Sequence, residues 1–515
     1  MAMPPASLRC TRLSVDRLPR QGYHPHGKGH TMFVLWLLGV SVVLASVFAS
    51  AADNKSTSSA PSWQAVTDSI FSQPLQPDGL RQDVQFVFTS VEEIHPSPHA
   101  YAKKSDVVAA REALLARINR HMTRSEFYKL LAPAVASFKS GHTIAVPFMN
   151  EFSRYVGSGG TVLPLSLRQV GDVLLVADGW PDGPPPGSQV LMIGSEDART
   201  VWDRLARRMP GEGVDACPCQ LERPKVLCMA MWVEYGPVKE LEVKARLKDG
   251  TVRLYAVKSV TWQQFTARLS RAETGNSYRH LSEQDAVLIS LNEWPEDAEK
   301  HQEFLRDAFT QVRDKHASSV IIDVRRNPGG NSERARALLE FLTDKPFRLF
   351  EEVGLKLSRQ YIAQHEKELG GSVPADRIGS IRTQGIPPVQ SPSAQPLRSA
   401  GRVYVLMGPA SNSTTTDFLA VVQHFGLGTL VGQPTTDTRR AYGDTFEVAL
   451  PYSGLKLHIA CKYFLSAGGR EDGGPVRPDR LVETTVEDVG KGADPVMQLT
   501  LDLIDAERKK EPPAR

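Results

Sequence analysis

The second half of the chain alternates short apolar runs with amphipathic segments, and this alternation limits the fold more than any other feature of the sequence. "AVLISL" precedes "DAEKHQEFLRDAFTQVRDKH", "SSVIIDV" precedes "NSERARALLEFL", and "GRVYVLM" precedes "TDFLAVVQHF" and "GTLVGQ". The apolar runs suit strands that are buried on both faces, and the amphipathic runs have the spacing of helices. Strands joined by crossover helices form a parallel sheet. The sequence therefore predicts an α/β core over residues 265–508.

Two regions with different residue patterns precede this core. Residues 53–150 are rich in helix formers with apolar residues at spacings of three and four, as in "GLRQDVQFVFTSVEEI", and they predict a helical N-terminal domain. Residues 155–262 consist of short apolar runs separated by turns, and they predict a small β-rich domain. Within it, Asp249-Gly250 between two alternating runs indicates a β-hairpin. A chain of 515 residues is long enough for such separate units.

Residues 1–52 predict export of the rest of the chain. An uncharged apolar run from Met32 to Ala52 follows a basic segment, and Ala49-Ser50-Ala51 has the small-residue pattern of a signal-peptidase site. The alternative is that residues 32–52 remain in the chain as a membrane anchor. Either interpretation places the following residues in the periplasm or outside the cell.

Charge and cysteine content narrow the choice of partners and cofactors. A net charge of +3, with no dense block of Lys and Arg, predicts no nucleic-acid partner. Cys217, Cys219 and Cys228 are close in sequence, and in an oxidising compartment Cys228 could pair with either of the other two. Because three cysteines with no nearby histidine leave a zinc site incomplete, no metal is predicted.

Two loops that follow predicted strands carry residues suited to chemistry. After Asp323, the turn Asn327-Pro328-Gly329-Gly330 leads into a helix, where backbone N–H groups and the helix dipole would stabilise a negatively charged oxygen. In "GPASNSTTTDF", Ser413 and Thr414 stand at a strand-to-helix turn of the kind that exposes a nucleophile. Taken singly, each loop has a simpler explanation, namely an ordinary turn and a helix N-cap.

Together with "SAGGREDGGPVRPDRLVE", these two loops resemble the tail-specific or C-terminal processing serine peptidases, whose relatives include the tricorn core protease. Asp323, Arg325 and the run from Asn327 to Gly330 match the family pattern D-x-R-x-N-P-G-G. The resemblance covers Tyr278 to Val482 and implies a crotonase-like β/α protease core. It also implies that the β-rich region is PDZ-like and that the helical region ending in "SGHT" belongs to the branch that uses a histidine base.

The resemblance implies a serine-type mechanism that needs no cofactor. Counting back from Asp417 puts the family's nucleophilic serine at Thr414, and a one-residue shift in the turn would present Ser413 instead. His142 in "SGHT" matches the family's base, and Glu471, with Asp472 as a rival, would orient it. The oxyanion donors implied by the resemblance are the backbone N–H groups of Gly329, Gly330 and Thr415.

The family's other branch uses a lysine base that follows a "V-G-E-P" sequence. Here "VGQPTTDTRRAYG" offers Arg439 and Arg440, which stay protonated and cannot act as a base. The implied function is therefore that of an exported serine endopeptidase acting on peptides or unfolded proteins with His142 as the base. Because Thr414 adds a methyl group at the counted position, the alternative is a catalytically inactive peptide-binding scaffold on the same fold.

Overall fold

The computed structural model describes residues 62–214, 216–269, 275–384, 392, 394–399 and 401–510. The predicted signal or anchor segment, residues 1–52, lies outside these ranges. Over the described residues, no helix combines the length and the apolarity that crossing a membrane requires.

Helices occur along all of the longer described ranges. They are α1 (Trp63–Phe71), α2 (Pro77–Ile94), α3 (Lys104–Arg117), α4 (Arg124–Ala136), α5 (Met149–Gly157), α6 (Ala198–Ala206), α7 (Pro224–Tyr235), α8 (Trp262–Arg268), α9 (Ala298–Asp314), α10 (Ser332–Leu342), α11 (Arg359–His365), α12 (Thr414–His424), α13 (Val486–Lys491) and α14 (Pro495–Arg508).

The strands are short in the first half of the chain and longer in the second. They are β1 (Pro74–Leu75), β2 (Met122–Thr123), β3 (Ile144–Val146), β4 (Thr161–Val162), β5 (Leu167–Val170), β6 (Val173–Val176), β7 (Gln189–Ile193), β8 (Glu196–Asp197), β9 (Glu240–Arg246), β10 (Val252–Lys258), β11 (Val260–Thr261), β12 (Ser277–Leu281), β13 (Ala286–Ser290), β14 (Ser319–Asp323), β15 (Phe350–Lys356), β16 (Ile381–Gln384), β17 (Arg402–Met407), β18 (Thr429–Gly432), β19 (Arg440–Ala449), β20 (Lys456–Ser466) and β21 (Arg480–Leu481).

The alternating half of the sequence forms a six-stranded sheet in the order β12-β13-β14-β17-β18-β21. β12 is antiparallel to β13, and the other neighbouring strands are parallel. Apolar side chains of α9, α10 and α12 bury one face of the sheet, and those of α14 cover the other face. The predicted α/β fold is confirmed, because the apolar runs form buried strands and the amphipathic runs form the crossover helices.

A second sheet of the core is antiparallel and has the order β16-β15-β20-β19. The short strand β3 pairs with β20, so that Ile144 lies opposite His458. This pairing brings the "SGHT" turn, which immediately precedes β3, from the helical region to the core. The alternating pattern did not predict this sheet, because its pairs join segments that are far apart in the sequence.

The region between the helices and the core forms an antiparallel sheet in the order β10-β9-β7-β6-β5, with β8 paired to β7. The predicted hairpin at Asp249-Gly250 joins β9 to β10, and Gly250 has a φ of 86°. Helices α6 and α7 pack on this sheet through Trp202 and Leu227, and α7 was not predicted. The three proposed domain boundaries stay predictions.

Candidate active site

The loops singled out in the sequence lie side by side because they follow neighbouring parallel strands. β14 and β17 pair in register, with Asp323 opposite Leu406, so both chains leave the sheet at the same edge. The N–H of Asn412 donates to the carbonyl of Asn327 at 3.1 Å, which ties the second loop to the first. β18 lies on the other side of β17, and the loop after it brings a third segment, residues 433–439, to the same edge.

Ser413 adopts the backbone conformation of a sharp strand-to-helix elbow. Its φ is 53° and its ψ is −126°, and it is the N-cap of α12 without a side-chain capping bond. A non-glycine residue at this positive φ is strained, and such strain is concentrated at functional sites. An elbow of this kind presents its hydroxyl above the sheet. Ser413 is partly exposed, as that role requires.

The three threonines that follow are buried and anchor the helix. Thr414 Oγ1 donates to the carbonyl of Gly330 at 2.6 Å. Thr415 Oγ1 accepts a 2.9 Å hydrogen bond from Trp294 Nε1. Thr416 Oγ1 donates to the carbonyl of Ser411 at 3.2 Å. The structure thus separates the two predicted hydroxyls: Thr414, at the counted position, packs against the Gly330 turn, and Ser413 occupies the elbow.

Gly329 lies directly against the elbow and has no room for a side chain. A Cβ atom added there would lie 2.6 Å from the Cβ of Ser413 and 2.8 Å from the carbonyl oxygen of Asn412. The φ of Gly329 is 101°, which glycine adopts without strain. The paired glycines had indicated a close approach of the backbone to another group, and in the structure that group is the Ser413 loop.

The predicted oxyanion donors are only partly available. The N–H of Gly329 donates to Asn327 Oδ1 at 3.0 Å, and that of Thr415 donates to the carbonyl of Asn412 at 3.0 Å. Among the described residues, the N–H groups of Gly330 and Thr414 donate to no other group. The geometry therefore favours Gly330 and Thr414 as the donor pair, because Gly329 and Thr415 already hold the two loops in shape.

His142 lies in a tight turn beside a buried carboxylate. The N–H of Thr143 donates to the carbonyl of Ser140 at 3.0 Å and closes the turn. His142 Nδ1 is 3.8 Å from Glu212 Oε1. Burial lowers the pKa of His142, but the carboxylates of Glu212, Asp437 and Asp444 together raise it more, so that the pKa lies above its usual 6.5.

Glu212 occupies the position that the resemblance assigned to Glu471. It comes from the loop between α6 and α7, and Oε1 accepts the N–H of Gly141 at 3.1 Å and of Tyr442 at 3.4 Å. Burial raises the pKa of Glu212 to about 7, against the opposing effect of His142. Glu471 is exposed in the turn after β20.

Asp472, the rival of Glu471, lies 3.6 Å from a guanidinium nitrogen of Arg439. The structure thus pairs neither residue of the C-terminal turn with the histidine. No sequence motif marks Glu212, which is why the sequence did not indicate it.

Asp437 connects the elbow to the histidine. Its Oδ2 accepts the N–H of Ser413 at 2.7 Å, and its Oδ1 accepts the N–H of Thr438 at 3.0 Å. Burial raises the pKa of Asp437, and the attraction of His142 opposes the rise. Among the described residues there is no direct hydrogen bond between His142 and Ser413, and such catalytic bonds often close only when substrate binds.

Comparison with known families identifies the core. Residues 285–482 match the model described as Peptidase family S41. The chain carries an S41 peptidase domain. The match confirms the resemblance to tail-specific peptidases, since S41 is a family of serine-type peptidases. The matched residues of the S41 domain include the Gly329 turn, the Ser413 elbow and Asp437, whereas His142 and Glu212 precede them.

Solved structures extend the likeness beyond the S41 domain. A mutant of CPAF is 14% identical with a TM-score of 0.58, and the match covers 85% of this chain and 99% of that chain. Mature CPAF complexed with lactacystin is 13% identical with a TM-score of 0.56, covering 83% of this chain and 97% of that chain. At these identities the likeness shows a shared fold. No curated protein sequence matches the chain.

Proposed function

We propose that this protein is an exported serine endopeptidase that cleaves peptide bonds in peptides or unfolded proteins by acyl transfer. The observation that carries the proposal is the strained elbow at Ser413, with φ 53° and ψ −126°, inside an S41 domain. Strain of this kind persists only where the surrounding structure maintains it. Here Asp437 and the Gly329 turn maintain it.

In the proposed reaction, Ser413 Oγ attacks the carbonyl carbon of the scissile peptide bond. His142 accepts the hydroxyl proton as the new C–O bond forms, and the carbonyl oxygen becomes an oxyanion held by the N–H groups of Gly330 and Thr414. Collapse of this intermediate breaks the C–N bond, and His142 returns the proton to the leaving amine. Water, activated by the same histidine, then hydrolyses the acyl-enzyme.

Two carboxylates support this chemistry without touching substrate. Glu212 faces His142 Nδ1, where it fixes the ring and stabilises the imidazolium that forms during attack. Asp437 holds the backbone of Ser413. Among the described residues neither carboxylate forms an ion pair with a lysine or arginine, and these positioning roles account for their burial.

Export and substrate recognition complete the proposal. The basic and then apolar order of residues 1–52 supports secretion, with residues 32–52 either removed or retained as a membrane anchor. The antiparallel sheet of residues 167–258 ends in the edge strands β5 and β10, and such edges can bind an extended peptide by strand addition. This PDZ-like region is the proposed substrate-binding region.

The test is hydrolysis of an unfolded protein by the full chain, compared with its Ser413→Ala variant. The proposal requires turnover by the wild type and none by the variant. The second candidate, an inactive peptide-binding scaffold, is favoured by the missing hydrogen bond between His142 and Ser413. It requires saturable peptide binding with no turnover by either protein.

A further inference from the structure

Two cysteines beside the candidate active site lie in direct contact. The Sγ atoms of Cys217 and Cys219 are 2.8 Å apart, and both residues are buried free thiols. The sequence had indicated Cys228 as the partner of one of them. Cys228 is instead buried in α7, where burial raises the pKa of its thiol.

The surroundings favour a thiolate at Cys217, whereas the hydrogen bond with Cys217 and burial raise the pKa of Cys219, which stays a thiol. The positive charge of the Arg223 guanidinium interacts with both thiols. Thr436 Oγ1 lies 3.5 Å from Cys217 Sγ. The hydrogen bond with Cys219, followed by the opposing effect of burial, leaves the pKa of Cys217 below its usual value. A neighbouring cation and a hydrogen bond to the sulfur both stabilise the thiolate, which is the reactive form of a cysteine.

The pair also touches both loops that hold the elbow. Cys219 Sγ lies 3.4 Å from the carbonyl oxygen of Pro409, which belongs to the loop between β17 and Ser413. Thr436 Oγ1 donates to the same carbonyl at 2.8 Å and immediately precedes Asp437. A displacement of the two sulfur atoms therefore displaces the loop that ends at Ser413 and the loop that carries Asp437.

The loop that ends at Cys217 carries Glu212. The N–H of Cys217 donates to the carbonyl of Met209 at 2.9 Å, which closes a loop with Glu212 inside it. A bridge between Gly211 and Val214 holds that loop in shape. The thiol pair thus lies at the base of the loop that delivers the carboxylate to His142.

We propose that Cys217 and Cys219 form a reversible dithiol–disulfide site that sets the activity of the neighbouring peptidase centre, with the disulfide as the active form. The regulatory part rests on the proposed peptidase function. The disulfide would fix the loop that carries Glu212 by a covalent bond in place of a weak thiol contact. A C-x-C disulfide needs only a sub-ångström approach of the two sulfur atoms, because a disulfide bond is about 2.05 Å long.

The oxidant belongs to the class of small-molecule disulfides, such as oxidised glutathione. The thiolate of Cys217 attacks one sulfur of that disulfide, forming a mixed disulfide and releasing one thiolate. The thiolate of Cys219 then attacks Cys217 Sγ, forming the intramolecular disulfide and releasing the second thiolate. The protein loses two electrons and two protons, and the small disulfide is reduced to two thiols.

The experiment uses the full chain equilibrated with oxidised or reduced glutathione, trapped with an alkylating agent and mapped by mass spectrometry. We expect a disulfide between Cys217 and Cys219 in the oxidised sample, reversed by reduction, in the wild type and in the control Cys228→Ser. A disulfide that includes Cys228, or two alkylated thiols at Cys217 and Cys219 after oxidation, would overturn the site.

Amide hydrogen exchange tests the regulation without relying on turnover. The N–H groups of Gly141 and Tyr442, which donate to Glu212, should exchange more slowly in the oxidised wild type, and Cys217→Ser and Cys219→Ser should lose this difference. Equal exchange in the two redox forms overturns the regulatory part.

Turnover completes the test. We expect hydrolysis to be about threefold or more faster in the oxidised form, because small displacements of a catalytic group reduce rates steeply. Equal or slower hydrolysis by the oxidised form overturns the regulatory part. Absence of hydrolysis in both forms contradicts the proposed function instead, and the disulfide map and the exchange rates still decide the site.

Discussion

The backbone N–H of Ser413 donates a 2.7 Å hydrogen bond to Oδ2 of the buried Asp437. This bond holds Ser413 at a φ of 53°, a conformation that costs a non-glycine residue about 1–3 kcal/mol. A hydrogen bond to a charged group contributes about 1.5–3 kcal/mol, which is enough to offset that strain. The nucleophile elbow is therefore maintained by a residue on a different loop, the one that follows β18.

The first prediction concerns this bond. In Asp437→Asn only one side-chain oxygen remains to accept the N–H groups of Ser413 and Thr438, so one of them loses its partner. We expect kcat to fall by roughly 10- to 100-fold, the equivalent of about 1.5–3 kcal/mol. Asp472→Asn, at an exposed carboxylate of the C-terminal turn, is the matched control and should retain activity. Equal losses in the two variants would argue against a positioning role for Asp437.

The second prediction separates the two hydroxyls that the sequence left open. Ser413→Ala should abolish turnover and keep the melting temperature of the wild type, because its hydroxyl makes no structural hydrogen bond among the described residues. Thr414→Ser should stay active, because a serine hydroxyl can still donate to the carbonyl of Gly330. Turnover and melting temperature are measured on both. An active Ser413→Ala with an inactive Thr414→Ser would reverse the assignment.

The third prediction concerns the contact between Gly329 and the elbow. In Gly329→Ala the new methyl group collides with the Cβ of Ser413, so kcat should fall at least tenfold. Gly250→Ala is the control: its φ of 86° imposes similar backbone strain, but an added Cβ meets nothing within 4 Å. The control should lose stability without losing activity. If Gly329→Ala turns over as fast as Gly250→Ala, the close approach has no catalytic importance.

The fourth prediction concerns pH. Only neutral His142 can accept the Ser413 proton, so kcat/KM should rise with pH through the histidine pKa, which lies above 6.5. Among the groups that raise this pKa, Glu212 acts most strongly. Glu212→Gln should therefore move the rising limb to lower pH and reduce the plateau. A rising limb at the same pH in Glu212→Gln would contradict this electrostatic role of Glu212. If only the plateau fell, the role of Glu212 would be purely structural.

The core was predictable from the sequence because its strands and helices have strong local patterns. The apolar runs that became β13, β14, β17 and β18 are buried on both faces, and the helices between them have one apolar side. Helix α7 was missed because it is apolar nearly all round, with Val226, Leu227 and Cys228 buried on three different sides, and it therefore lacks the amphipathic period.

Only the site residues that belong to local sequence motifs could be predicted. The glycine turn and the hydroxyl cluster follow strands, so their meeting at one sheet edge follows from the topology. The contact of His142 with Glu212 depends on the pairing of β3 with β20 and on a loop of the middle region, and no local pattern encodes either. Counting along the motif put the nucleophile at Thr414, whereas the elbow lies one residue earlier because α12 begins after Ser413.

The central claim is that Ser413 is the nucleophile of an active serine peptidase centre. The most direct measurement is labelling of the full chain with a fluorophosphonate probe, followed by mass spectrometric mapping of the modified residue. The account predicts a single labelled site at Ser413, lost in Ser413→Ala, slowed in His142→Ala and retained in Thr414→Ser. A label on Thr414, or no label on folded wild-type protein, would contradict it.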